Sequence, residues 1–265
     1  MKYFKSAEEF QSLLDNQLYD SMMKAMRLNL NSSSSSELKE KFISDSQKPN
    51  LQIPMEYNWA DHNAVTPIRH QHKCGSCAVF SAVATIESAY LIHHGRQRMI
   101  SPQSIDLSEQ SVLDCLQYGV CQRGSFPEQS WNVMLQNGIT TEQERPYLAR
   151  QTGQCYRYSQ SLVSVQNWYQ NYQNTEESMQ RLILKYGPIS VFMAAEESMR
   201  HLKGPFHGYC GQTINHAVVM VGWTQRYWII KNSWGRFFGI NGFLYLPRGQ
   251  NKCNIQYYAG IPFIR

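Results

Sequence analysis

The sequence lacks several features that define other classes of protein. No apolar run approaches the roughly 18 residues that a membrane-spanning helix needs. No apolar core follows residues 1–9, as a secretory signal peptide would require. The formal charge of +5 is small and long runs of Lys and Arg are absent, so we expect neither a membrane nor a nucleic-acid partner.

Residues 1–52 differ from the rest because they contain no cysteine, tryptophan or glycine. Apolar residues recur there at steps of three and four, which predicts an amphipathic helix; they are Phe10, Leu13, Leu14, Leu18, Met22 and Met26. Five serines at 32–36 then predict a linker. On these residues alone, the segment is a solvated helix on a stalk.

The seven cysteines lie between positions 74 and 253, and their odd number fits three disulfides plus one free thiol. Cys74 and Cys77 have the spacing of a zinc or redox pair, but no second Cys-x-x-Cys pair follows. We therefore expect no metal and no cofactor. Disulfides imply an oxidising compartment, whereas the sequence shows no signal peptide that would direct the chain there. We therefore expect the chain to be N-terminally incomplete.

Segment 71–81 reads QHKCGSCAVFS and predicts a loop that ends in a helix. Gly75 and Ser76 are turn and N-cap types, and an apolar run extends from Val79 to about Ile92. Cys77 would lie in the first helical turn, where the helix dipole and unpaired N–H groups stabilise a thiolate. In isolation, such a cysteine is better explained as a buried structural residue.

A nucleophilic cysteine needs a base and a group that orients the base. His216 lies in NHAVV at 215–219, which is 139 residues after Cys77, and Asn232 lies in KNSWG at 231–235. Taken alone, these two are a histidine held in a strand and an asparagine of a turn.

Taken together, these three motifs resemble the papain-type cysteine peptidases, and Gln71 stands six residues before Cys77 as in that family. The resemblance covers residues 53–265, since IPMEYNW at 53–59 is similar to the start of the mature enzymes. Two short segments, VTPIR at 65–69 and ESAYL at 87–91, are similar to the mite group 1 cysteine peptidases in particular.

The resemblance implies an α+β, papain-like fold of two lobes with a cleft between them. The helical lobe would span about 62–160, and the antiparallel β-rich lobe about 161–265 plus the 53–61 start. The residue patterns agree, because helix and loop signals dominate up to 160. Strands are predicted afterwards at 189–192, 216–221, 227–231 and 242–246.

The implied function is a cysteine endopeptidase made as a zymogen, with residues 1–52 as a partial propeptide. Cys77 would attack the peptide carbonyl and form a thioester, His216 would act as base, Asn232 would orient His216, and Gln71 would bind the oxyanion. The implied substrate-binding residues are Gly124, Phe126, Phe192, Ala217, Trp234 and Tyr258. The implied disulfides are Cys74–Cys121, Cys115–Cys155 and Cys210–Cys253.

The implied partners are protein or peptide substrates, the chain's own propeptide and protein inhibitors of the enzyme. We expect a monomer that is secreted or lies in a lysosomal or digestive compartment. An apolar side chain of modest size should be preferred one residue before the cleaved residue.

Three positions depart from the family pattern. The family has Trp where this chain has Ala78, Gly where it has His72, and a Gly-Gly pair where it has Arg123 and Gly124. We expect looser packing at Ala78 and added bulk at the cleft from His72 and Arg123. The alternative is therefore a catalytically impaired or silenced papain-like paralogue that acts as a binding protein. An unrelated disulfide-rich binding protein would leave the motifs unexplained.

Overall fold

The computed structural model describes residues 53–95 and 100–265. The predicted helix at 10–26, the serine linker and the proposed propeptide lie outside the described residues. The α-helices are α1 (Cys77–Tyr90), α2 (Glu109–Leu113), α3 (Val120–Arg123), α4 (Pro127–Asn137) and α5 (Glu176–Tyr186). The strands are β1 (Tyr57–Asn58), β2 (Val165–Tyr172), β3 (Ile189–Met193), β4 (His216–Trp223), β5 (Tyr227–Lys231), β6 (Phe243–Pro247) and β7 (Tyr258–Ile264).

The strands form one antiparallel sheet in the order β2-β7-β3-β4-β5-β6, and β1 pairs with the end of β4. The helices α1 to α4 precede most of this sheet in the chain, so the predicted α+β order of a helical part followed by a β-rich part is confirmed. The four predicted strands correspond to β3, β4, β5 and β6. The edge strand β2 and its partner β7 were not predicted.

Helix α1 is buried on every side, and it packs against β4, β7 and α4. Such burial requires partners for its few polar groups. The Ser81 hydroxyl donates to the Val218 carbonyl at 2.9 Å, and Thr85 donates to the Ala82 carbonyl at 2.8 Å. The helix therefore fixes Cys77, its first residue, against the start of β4.

A buried ionic link joins α1 to the end of β5. Lys231 Nζ donates to the Thr66 hydroxyl at 2.7 Å, and this hydroxyl donates to the Glu87 carboxylate. The backbone N–H of Leu107 donates to the same carboxylate at 2.9 Å. Burial raises the pKa of Glu87, and the nearby Lys231 opposes that shift. Because Lys231 directly precedes Asn232, this link helps to set the position of Asn232 relative to α1.

Disulfide bonds brace the loops around the sheet and helices. They join Cys74 to Cys121, Cys115 to Cys155 and Cys210 to Cys253, which are the three pairs that the resemblance implies. No helix in the described part of the chain is both long and apolar enough to cross a membrane.

Candidate active site

Cys77 is the free cysteine of the chain and the first residue of α1. The backbone N–H groups of Ala217, Ala78 and Cys77 itself favour the thiolate, as the position at a helix start predicts. Burial is the larger effect, and it raises the pKa of the Cys77 thiol. Burial and the helix start thus act on the pKa of Cys77 in opposite directions, and the thiolate stabilised by the helix stays a prediction.

His216 is the first residue of β4. The backbone N–H of the next residue, Ala217, is directed at the Cys77 thiol, so the start of β4 lies beside the start of α1. The His216 Nε2 is 2.8 Å from the Asn232 Oδ1. Asn232 Oδ1 also accepts from the Ser233 N–H at 2.8 Å, which leaves it in an acceptor role. Nε2 therefore carries the proton, and Nδ1 is the ring nitrogen left to exchange a proton with Cys77.

The His216 ring stacks on Trp234 with centroids 4.7 Å apart and an angle of 26° between the planes. Burial and, to a lesser extent, the charge of Arg200 lower the pKa of His216 to about 4, whereas the hydrogen bond that Nε2 donates to Asn232 Oδ1 raises it. The neutral imidazole is thus the resting form in this enclosed site. A neutral His216 suits the role of general base.

Gln71 is buried, and its side-chain amide is held at both ends. Its Oε1 accepts from the Ser233 hydroxyl at 2.7 Å, and its Nε2 donates to the Cys74 carbonyl at 2.9 Å. An amide nitrogen has two hydrogens, so one N–H remains available. The Tyr147 hydroxyl donates to the Gln71 carbonyl at 3.0 Å and anchors the backbone of the same loop.

Four of the predicted substrate-binding residues lie in one aromatic cluster. Phe192 stacks on Tyr258 with centroids 4.0 Å apart, Phe126 meets Phe192 edge to face, and Ala217 pairs with Phe192 across β3 and β4. Ala78 and Ile214 are buried in the same cluster, and Cys77 packs against it. Phe192 and Tyr258 thus form a stacked aromatic wall beside Cys77.

The two remaining substrate-binding residues lie elsewhere. Gly124 has φ +79° and ψ −176°, a conformation that in practice only glycine adopts, and it faces the Gly75 carbonyl near the start of α1. Trp234 stacks on His216, as described above.

The three departures from the family pattern have distinct surroundings. His72 has φ +53°, a left-handed conformation that favours glycine, and its ring stacks on His70 at 4.3 Å. Arg123 donates to the Tyr118 carbonyl, so its guanidinium is turned back along α3. Ala78 is 0% exposed and belongs to the aromatic cluster, and the looser packing that we expected there stays a prediction.

Sequence reasoning missed two residues that shape the site. Ser233 joins Gln71 to Asn232, although the motif at 231–235 contains it. Glu128 in the first turn of α4 is only 5% exposed, and it lies close to the hydroxyl of the fully buried Tyr258. Neither Glu128 Oε2 nor this hydroxyl makes a hydrogen bond of good geometry within the described residues. Burial raises the pKa of Glu128 to about 7.

The described residues contain no cluster of three or more histidine, cysteine or acidic side chains that could hold a metal ion.

Comparison with known proteins adds to this geometry. The family described as papain family cysteine protease matches residues 53–263. Over 212 residues the chain is 33% identical to the viral cathepsin of Heliothis zea nuclear polyhedrosis virus, covering 78% of this chain and 56% of that protein. Over 218 residues it is 33% identical to human cathepsin O, covering 78% and 65%. The match thus spans less than two thirds of each relative.

Solved structures agree with these matches. A structure from work on the mite allergens Blo t 1 and Der p 1 aligns with a TM-score of 0.69 and 29% identity, covering 82% of this chain and 73% of that one. The structure of bromelain from Ananas comosus in complex with the E64 inhibitor aligns with a TM-score of 0.71 and 30% identity, covering 80% of this chain and 100% of that one. Digestive procathepsin L2 from the larval midgut of Tenebrio molitor aligns with a TM-score of 0.70 and 26% identity, covering 80% of this chain and 69% of that one.

Proposed function

Since this chain belongs to the papain family of cysteine proteases, we propose that it is an endopeptidase that hydrolyses peptide bonds through Cys77. The observation that carries the proposal is a free thiol at Cys77 together with a 2.8 Å hydrogen bond between His216 Nε2 and Asn232 Oδ1. The Ala217 N–H, one residue after His216, faces this thiol.

In the proposed reaction, Cys77 sulfur bonds to the peptide carbonyl carbon while His216 Nδ1 takes the thiol proton. The carbonyl oxygen becomes an oxyanion, which the Cys77 N–H and the free N–H of Gln71 stabilise. Collapse breaks the C–N bond, and His216 returns its proton to the leaving amine. Water then attacks the thioester, His216 accepts a proton from it, and the C–S bond breaks to restore the thiol.

The aromatic cluster is proposed as the pocket for the side chain one residue before the cleaved residue. Its walls are apolar and tightly packed, with Phe192 stacked on Tyr258 at 4.0 Å. This supports a preference for an apolar side chain of modest size.

Residues 1–52 are proposed to restrain the enzyme as a partial propeptide, because their apolar stripe and serine tract precede the family match at 53. Procathepsins are among the structures similar to this chain. A secreted or digestive compartment and a monomeric state remain part of the proposal, as do protein inhibitors. The three disulfides suit such a compartment.

The second candidate is a silenced paralogue that binds peptides without cleaving them. It is favoured by His72 in its left-handed conformation, two residues before Cys74, and by the closed packing of the pocket. Both features change the surroundings of the site, whereas the side chains that would react are present.

One experiment separates the two candidates. The full chain is acid-activated and treated with E64 or iodoacetamide, and the labelled cysteine is identified by mass spectrometry alongside a fluorogenic-peptide assay. We expect labelling at Cys77 alone, and hydrolysis that is lost in Cys77→Ala. Labelling without hydrolysis between pH 4 and 9 would favour the silenced paralogue, and labelling of another cysteine would refute both the nucleophile and the disulfide pairing.

A further inference from the structure

Three cations lie on two chain segments that meet near Trp234, and we name Arg200, Lys203 and Arg236 the cationic strip. The Arg200 guanidinium carbon is 6.0 Å from the centroid of the Trp234 ring. Lys203 Nζ donates to the Phe237 carbonyl at 2.9 Å, and the Arg236 guanidinium carbon is 5.1 Å from the Phe237 ring centroid. The strip therefore combines two chain segments, the 3-10 helix Glu197–His201 with its following loop and the loop after Trp234.

The reaction proposed above defines which part of a substrate meets this strip. His216 gives its proton to the leaving amine, so the segment that follows the cleaved bond departs past His216. Trp234 stacks directly on His216, and Arg200 lies over Trp234. The strip consequently lies beside the expected path of the substrate residues after the cleaved bond.

The donors of the strip are only partly used. Arg200 is 49% exposed and pairs through Nε with Glu197 at 2.6 Å, which leaves the two terminal nitrogens of its guanidinium. Glu197 is 79% exposed, so its ion pair is weak and readily exchanged. Lys203 uses one of three hydrogens in its bond to Phe237.

The surface under the strip is also suited to a ligand. Phe237 is 77% exposed, and its ring presents an apolar surface beside the guanidinium of Arg236. The charge of Arg200 also reaches His216, whose pKa it lowers. A carboxylate bound at Arg200 would therefore sit within electrostatic range of the reacting groups.

We infer that Arg200, supported by Lys203 and Arg236, makes this peptidase favour substrates with an acidic side chain in the residue directly after the cleaved bond. The inference rests on the proposed function, and it deepens that function by naming a substrate class.

The test uses the acid-activated full chain and three quenched fluorescent peptides that differ only in the residue after the cleaved bond: Glu, Gln or Lys. We expect kcat/KM to fall in that order, by about two- to fivefold between Glu and Gln, since exposed ion pairs have that strength. The ratio should shrink in 0.5 M NaCl because salt screens exposed charges.

Variants assign the preference to Arg200. Arg200→Gln should abolish the Glu-over-Gln ratio, Arg200→Lys should retain most of it, and Arg200→Glu should favour the Lys peptide. Arg226→Gln is the matched control: it removes the same charge in the turn between β4 and β5, at the end of β4 remote from His216. It should leave the ratio unchanged.

The results separate a failure of the inference about the cationic strip from a failure of the proposed peptidase function. Cleavage of all three peptides at equal rates, or loss of the ratio in Arg226→Gln as well, overturns the inference about the strip alone. Cleavage of none of them, together with no labelling of Cys77, counts against the peptidase itself.

Discussion

At the scale of single residues, Ser233 connects the two halves of the proposed catalytic machinery. Its hydroxyl donates to Gln71 Oε1 at 2.7 Å and its N–H donates to Asn232 Oδ1 at 2.8 Å. One residue thus sets the orientation of the oxyanion donor and, through Asn232, of His216. The motif at 231–235 contains Ser233 but does not show its bond to Gln71, because the two residues are 162 positions apart in the sequence.

We expect Ser233→Ala to lower kcat about 5- to 30-fold with little change in KM, because a buried amide oxygen loses its donor at a cost of roughly 1–2 kcal/mol. Ser233→Thr keeps a hydroxyl and should restore most of the rate. Steady-state kinetics with active sites counted by E64 titration provide the measurement. An unchanged kcat in Ser233→Ala would mean that Gln71 keeps its orientation without this bond.

Ala78 leads to a second prediction at this scale, and it opposes what the family pattern suggests. Ala78 is 0% exposed and is packed against Phe192, Ala217 and Tyr258. Introducing the larger side chain in Ala78→Trp should destabilise the protein by about 1–3 kcal/mol through overpacking. Urea unfolding of Ala78→Trp beside the conservative Ala78→Ser measures this, and a gain in stability would show that the cluster has room for an indole.

At the scale of elements, α4 begins with Pro127 at its first position, a residue suited to a helix start, and Glu128 follows it. The carboxyl of Glu128 is favoured there by the backbone N–H groups, yet burial raises its pKa to about 7. The folded state therefore holds this proton more tightly than the unfolded chain, whose carboxyl has an ordinary pKa near 4.5.

The sign of the pH dependence follows from this. Stability from the protonated Glu128 is fully present below about pH 4.5 and is lost as pH rises to about 7, by roughly 3 kcal/mol. Glu128→Gln cannot ionise, so its stability relative to the wild type should increase across that range and stay constant above it. Urea unfolding at pH 4.5, 6 and 8 is the measurement, with exposed Glu56→Gln as the matched control. If the stability of wild type and Glu128→Gln changed in parallel with pH, the assignment of this pH dependence to Glu128 would be wrong.

The regular elements show what a sequence can predict. Strands β3, β4, β5 and β6 are rich in β-branched and aromatic residues between turn signals, so their positions were predicted to within a few residues. Strand β2 reads VQNWYQNY, which is largely polar because it lies at the edge of the sheet. Strand β7 contains Gly260 and Pro262, which are poor strand formers. Their pairing with each other stabilises both, and neither sequence contains that information.

The candidate site divides in the same way. Motifs located Cys77, His216, Asn232 and Gln71, because each chemical role requires a particular residue type in a local setting. The contact between Glu128 and Tyr258 joins positions 130 residues apart and depends on the packing of α4 against β7. The ionisation of Cys77 likewise depends on burial, which the sequence does not display and which opposes the effect of the helix start.

At the scale of the whole molecule, the proposed catalytic pair joins the helical part of the chain to the sheet. Cys77 begins α1 and His216 begins β4, and the buried Glu87–Thr66–Lys231 link holds these parts together beneath them. The ionisation of the pair therefore depends on how closely the two parts enclose it. The pH dependence of activity measures this enclosure.

We expect kcat/KM to follow a bell-shaped curve with an unusually broad plateau. On the acid side, activity is lost when both the thiol and His216 are protonated, near the lowered His216 pKa of about 4. On the alkaline side, activity is lost when the pair gives up its last proton, because no acid remains for the leaving amine. Burial raises the Cys77 pKa, so this loss should lie above the ordinary thiol range.

Two variants should move the acid limb in opposite directions. Arg200→Gln removes a charge that lowers the His216 pKa, so its limb should shift to higher pH. Asn232→Ala removes the hydrogen bond that raises the same pKa, so the limb of its residual activity should shift to lower pH. The measurement is kcat/KM from pH 3 to 10 on one fluorogenic peptide at constant ionic strength, with Arg226→Gln as the control for net charge. Shifts of the same sign in the two variants, or an acid limb that Arg226→Gln moves as far as Arg200→Gln, would mean that the limb belongs to a group other than His216.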